Sequence, residues 1–189
     1  MTGGGIREGM ENVLDLYFLS IAAYWVMEVG AQRYKGSRTM GGRDPSMLLI
    51  FIPFWVSLLA PLVERELVGT QASFLTVTAG GVLIILSGMV RAKGILDMAG
   101  RFSMAIEDTG ELVDTGVFAH IRHPLYLGNL LIFLGCPLFM GAVWSWSVAV
   151  VGATGIWIRI RKEERFLIRT MPGYIDYMER TKAIIPGLL

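Results

Sequence analysis

The chain has 189 residues and a formal net charge of +1, which suits one domain and gives no reason to expect a nucleic-acid partner. It is 53% hydrophobic and only 17% charged, with a mean hydropathy of +0.55, whereas a soluble domain is about 25% charged. One cysteine, Cys136, and two histidines, His120 and His123, exclude a disulfide framework and a Cys-cluster metal site, and no metal partner is expected.

The first residues carry Glu8, Glu11 and Asp15 against Arg7, the reverse of a basic signal-peptide n-region, so no cleavable signal is expected. A bilayer crossing needs roughly 20 mostly apolar residues, and residues 14–30, 46–63 and 72–90 are three candidates. The stretch 91–123 is too charged to cross. Residues 125–158 are then almost uninterrupted apolar sequence. As one helix this stretch would extend roughly 50 Å, well past a hydrocarbon core of about 30 Å. Pro137 and Gly141 lie near its middle, which predicts a tight helical hairpin with arms 125–139 and 142–158. Both arms are short, so the hairpin is expected to pack among the other helices.

The expected fold is therefore an all-α polytopic membrane protein of about five spans in one domain. Residues 1–90 would supply three spans, and 91–189 a polar connector, the hairpin and a tail. With five spans, all but two of the 17 basic residues, Arg7 and Arg65, fall on one side. Basic loops stay in the cytoplasm, so the N-terminus is expected outside and the C-terminus inside.

Polar chemistry is concentrated in two places. The first is residues 107–128, and the second starts as the last span ends, with Arg159, Glu163 and Glu164, followed by Gly173, Tyr174 and Tyr177. Pro124 before an apolar run reads as the first position of a helix, with His123 as its N-cap. The backbone N–H groups of Leu125 and Tyr126 would then form a place for a carboxylate or phosphate. Arg159 and Glu163 are four apart and share a helix face. Taken singly, the first feature is equally a helix boundary and the second a surface ion pair worth a few tenths of a kcal/mol.

Together the pieces are more specific. The run Leu112-Val113-x-x-Gly116-Val117-Phe118-x-x-x-Arg122-His123-Pro124-x-Tyr126-x-Gly128 is followed by Arg159-x-x-x-Glu163-Glu164-x-x-Leu167, then Gly173-Tyr174-x-x-Tyr177 and a terminal Ile185-Pro186. This resembles the isoprenylcysteine carboxyl methyltransferase family, and related membrane methyltransferases of phospholipid amines and small thiols. The resemblance implies S-adenosylmethionine as methyl donor in a cytoplasmic pocket beneath the hairpin, and a lipid-like or lipidated acceptor within the membrane. The family's cofactor positions match Gly110, Glu111, Leu112, Val113, Phe118, His123, Pro124, Leu125, Tyr126 and Glu163, with Glu107 a further match. Its substrate-orienting arginine matches Arg159, which with Glu163 makes up the implied catalytic pair. Phe118 stands where the family usually has tyrosine, and the histidine that usually precedes Leu-Val is replaced in the Gly110-Glu111 region.

Two other readings compete. Membrane sterol reductases carry a similar Arg-His-Pro-x-Tyr-x-Gly and bind NADPH, but have about ten spans. A non-enzymatic scaffold whose charged tail only anchors to headgroups would bind no nucleotide.

Overall fold

The computed structural model describes residues 3–35, 45–98 and 112–184, with side chains from Asn12 onward and none at 34 and 35. Among the described residues six α-helices follow one another: α1 Gly3–Lys35, α2 Leu48–Val68, α3 Phe74–Asp97, α4 Pro124–Met140, α5 Trp146–Thr170 and α6 Tyr174–Arg180. Among the described residues there is no sheet, only one parallel bridge between Ile121 and Lys182. The all-α expectation holds.

Three helical segments, Asn12–Arg33, Pro45–Val68 and Phe74–Asp97, are long and apolar enough to cross a membrane. Their outer faces expose residues such as Phe51, Ile52, Leu59, Leu75 and Met89, a surface suited to lipid rather than water. The fourth and fifth helices form the expected hairpin. The α4 helix has 17 residues, about 25 Å of length, which is less than the hydrocarbon core. It is apolar all round, as a helix enclosed by others is, and it packs on α3, α2 and α5. Ile132, Cys136 and Met140 on it are fully buried. Only the first part of α5 is apolar; beyond Ile158 it turns charged and runs on to Thr170. The hairpin is therefore an inner element: of the five expected spans, three are helices both long and apolar enough to cross, and the hairpin arms are partly enclosed by them.

Close approach of α3 and α4 depends on small residues, as in membrane helix pairs generally. A side chain at Gly80 would strike the backbone of Phe139 and Gly135. About two turns further along α3, the Ser87 hydroxyl donates to the Gly128 carbonyl at 2.7 Å. The α4 helix then ends on Gly141 in the left-handed conformation, φ 63°, which a glycine adopts without steric cost.

The hairpin turn is held by one carboxylate. Glu64, buried near the end of α2, accepts from the backbone N–H groups of Val143, Trp144 and Ser145 at 2.5, 2.8 and 2.8 Å, and from the Ser145 hydroxyl at 2.7 Å. These are amides of the turn itself and of the α5 N-cap, Ser145. The second arm begins at Trp146 rather than at the expected 142. Glu64→Ala is expected to cost about 2–4 kcal/mol, because charge-assisted bonds are lost and amides are left unpaired. Glu64→Gln should lose less. Unfolding in detergent micelles measures both.

Candidate functional site

The site lies at the end of the bundle opposite Glu64, where α1 finishes, α2 begins, α3 finishes and α4 begins. Three features of the local sequence put α4's first turn there. Asp97, at the end of α3, accepts from the Val117 N–H at 2.8 Å and sits directly beneath Gly116, where a Cβ would collide with its carboxylate. Gly116 has φ 62°, a left-handed conformation that other residues rarely take. The short turn Gly116–Ala119 follows, and the Phe118 carbonyl accepts from the Tyr177 hydroxyl at 2.7 Å. The tail then runs alongside: Arg122 N–H donates to the Lys182 carbonyl at 2.8 Å and His123 N–H to the Ala183 carbonyl at 2.9 Å.

Pro124 begins α4 with His123 as N-cap, as expected, and the His123 side chain makes no capping bond. The Tyr126 N–H is taken up within the first turn by the His123 carbonyl at 3.1 Å, so this amide is not the open anion donor the sequence reading assigns to it. The tyrosine contributes through its hydroxyl instead. That hydroxyl accepts from Arg159 Nε at 2.8 Å and donates to Glu163 Oε2 at 2.7 Å. It thus links the two α5 residues that the sequence pairs by spacing. Arg159, only 4% exposed, also donates to the Ser46 hydroxyl at 3.0 Å, which ties α5 to the start of α2.

The adjacent carboxylate has a different task. Glu164 accepts from Arg122 Nε at 2.9 Å and lies 3.3 Å from His123 Nε2. Arg122 also donates to the carbonyls of Met178 and Thr181, at 3.1 and 2.5 Å. Burial would raise the Glu164 carboxyl, but the hydrogen bonds and charge of His123 and Arg122 hold it below the ordinary carboxylate range. Of the Glu163-Glu164 pair, then, one faces the cavity and the other fastens α5 to the tail.

A cavity of about 260 Å³ opens between these elements. Seven of the residues expected at the site line it: Phe118, His123, Pro124, Leu125, Tyr126, Arg159 and Glu163. Leu112 packs instead near Met171, Tyr174 and Tyr177, and Val113 is half-buried in the connector outside the lining. Glu107, Gly110 and Glu111 lie outside the described residues. Sequence reasoning missed a further polar group on the cavity wall. Arg91 donates from Nε and Nη2 to the two Glu28 oxygens at 2.9 and 2.7 Å, and from Nη1 to Asn129 Oδ1 at 2.8 Å and the Leu125 carbonyl at 3.2 Å. Gln32 adds a bond to Glu28 at 2.9 Å. Ionisable residues inside candidate spans were the available signal, since such residues are functional candidates by default. The apolar wall is aromatic, with Trp25 and Trp55 stacked at 5.6 Å beside Phe51 and Phe54.

Residues 75–171, just over half the chain, match the model of the phospholipid methyltransferase family. The chain belongs to this family. The match includes all of α4 and α5 and all of α3 but its first residue, and leaves Glu28, Ser46 and the aromatic wall outside it. Among curated proteins the chain is 34% identical over 126 residues to the cobalt-zinc-cadmium resistance protein CzcN of Cupriavidus metallidurans, covering 64% of this chain and 53% of that one. It is 34% identical over 119 residues to the nickel-cobalt-cadmium resistance protein NccN of Alcaligenes xylosoxydans xylosoxydans, covering 62% and 52%. The chain thus spans about half the length of these relatives. No solved structure matches it.

The depressed Glu164 carboxyl has a pH consequence. Its stabilising contribution is fully present above the unfolded carboxylate value of about 4.3 and is lost as pH falls through the lower folded value. Unfolding midpoints measured across that acid range should fall for the wild type, and Glu164→Gln should start lower and flatten that limb.

Proposed function

We propose that this protein is an integral-membrane methyltransferase that transfers the methyl group of S-adenosylmethionine to a lipid-borne acceptor. The observation that carries the reading is the Arg159–Tyr126–Glu163 chain of hydrogen bonds on the wall of the cavity, in a chain belonging to the phospholipid methyltransferase family. The lining suits the donor: Glu163 offers a carboxylate to its ammonium group, and the first turn of α4 offers a partly positive helix start to its carboxylate. Bound there, S-adenosylmethionine would supply an electrophilic sulfonium methyl for in-line displacement. What the protein's own residues supply is position and exclusion of water, which together can remove several kcal/mol of barrier. Arg159 holds an anionic group of the acceptor by charge-assisted bonds, and the aromatic wall takes its apolar chain.

The finer reading is carboxyl methylation of an isoprenylcysteine-type acceptor. It is supported by the motif resemblance, and an ionised carboxylate needs no general base near neutral pH. A phospholipid amine is the second reading, favoured by the description of the matching family. The site end is assigned to the cytoplasm, with the N-terminus outside. Basic Arg33, Lys93, Arg161, Lys162 and Arg165 gather at that end, and only Arg65 among the described basic side chains lies toward the other.

The test is transfer of a labelled methyl group by reconstituted protein to prenylcysteine, phosphatidylethanolamine and a small thiol. Arg159→Ala and Glu163→Ala should each lower turnover by about 100-fold or more while the protein stays folded in detergent. Arg159→Lys and Glu163→Gln serve where the alanine variants unfold. Wild-type rates in either position's variants contradict the assignment.

A further inference from the structure

Asn129 lies on α4 three residues after Tyr126, on the same face of the helix, and is 5% exposed on the cavity wall. Arg91 has only donors to offer, so the Asn129 carboxamide must turn its oxygen toward the guanidinium, as the 2.8 Å contact shows. That leaves the Nδ2 donors for the other side. The orientation is imposed from a distance: Glu28 on α1 fixes Arg91 through two oxygens, and Gln32 braces Glu28.

Helix direction places this donor. The α4 helix runs away from the site end and α5 runs toward it, so Asn129 is one turn deeper than Tyr126 and Arg159 one turn deeper than Glu163. Both therefore sit on the membrane side of the Tyr126–Glu163 contact, in the layer a lipid-borne group reaches first. A purely structural partner for Arg91, already neutralised by Glu28, would need only an oxygen. Asparagine adds a donor that the fold itself does not require.

We infer that Asn129 is a recognition residue for the methyl acceptor, donating from Nδ2 to an oxygen of the acceptor's anionic group beside Arg159, with Glu28 and Arg91 as its positioning pair. This rests on the proposed methyl transfer to a lipid-borne acceptor. Asn129→Asp keeps an oxygen on Arg91 and removes the donor, and Asn129→Ala removes the donor without adding a charge. The measurements are S-adenosylhomocysteine affinity by calorimetry, and KM and kcat for the acceptor the wild type methylates. The expected result is cofactor affinity within about twofold of wild type, KM raised about tenfold or more, and kcat changed less, as when a site loses a donor to a substrate oxygen. Arg91→Gln, which no longer dictates the carboxamide's orientation, should raise KM by a smaller factor in the same direction. Asn129→Ala, judged by the same criteria, replaces the aspartate variant should that one unfold. Wild-type KM in either Asn129 variant overturns the inference, as does a parallel loss of cofactor affinity, which would assign Asn129 to the cofactor. A wild type that binds S-adenosylhomocysteine but methylates none of the lipid acceptors overturns the proposed function, and this inference with it.

Discussion

Four hydrogen bonds from one guanidinium, that of Arg91, join α1 and α3, within their segments long and apolar enough to cross a membrane, to α4. A cation there is costly unless it is paired and fully bonded, and this one has a carboxylate on one side and a carbonyl and carboxamide on the other. The cost of breaking any part of that arrangement fixes the first turn of α4 relative to the N-terminal helices. Everything the site needs from α4 follows from that register: the Tyr126 hydroxyl meets α5, the Asn129 amide turns to the cavity, and Pro124 and Leu125 form its wall.

The bundle is thus closed by two carboxylate clasps and opened between them. At one end Glu64 collects the amides of the hairpin turn. At the other, Glu164 binds Arg122 and faces His123, while the tail pairs with residues 121–123. The division of labour between Glu163 and Glu164 follows from helix geometry, since consecutive residues on α5 point about 100° apart.

Much of this is legible in the sequence where the signal is local. Pro124 marks the start of α4, Gly141 marks its end, and the four-residue spacing of Arg159 and Glu163 puts them on one face. Where the determinants are distant in sequence, the reading falls short. The Tyr126 hydroxyl between Arg159 and Glu163 needs two helices in register, and spacing within α5 cannot reveal it. Glu28 stands near the end of the first candidate span, and its partner Arg91 comes 63 residues later. The α1 helix continues to Lys35, past the apolar stretch that suggests it, because Glu28 and Gln32 have partners in the cavity wall. Glu64 similarly looks like the polar edge of the second span, though it holds a turn 79 to 81 residues away.

Binding of S-adenosylhomocysteine to the purified full chain tests the proposed cofactor pocket most directly. Saturable binding at one site per chain is expected in a calorimetric titration, lost in Glu163→Ala and unaffected by NADPH. Absence of binding, or heat evolved with NADPH in its place, would contradict it.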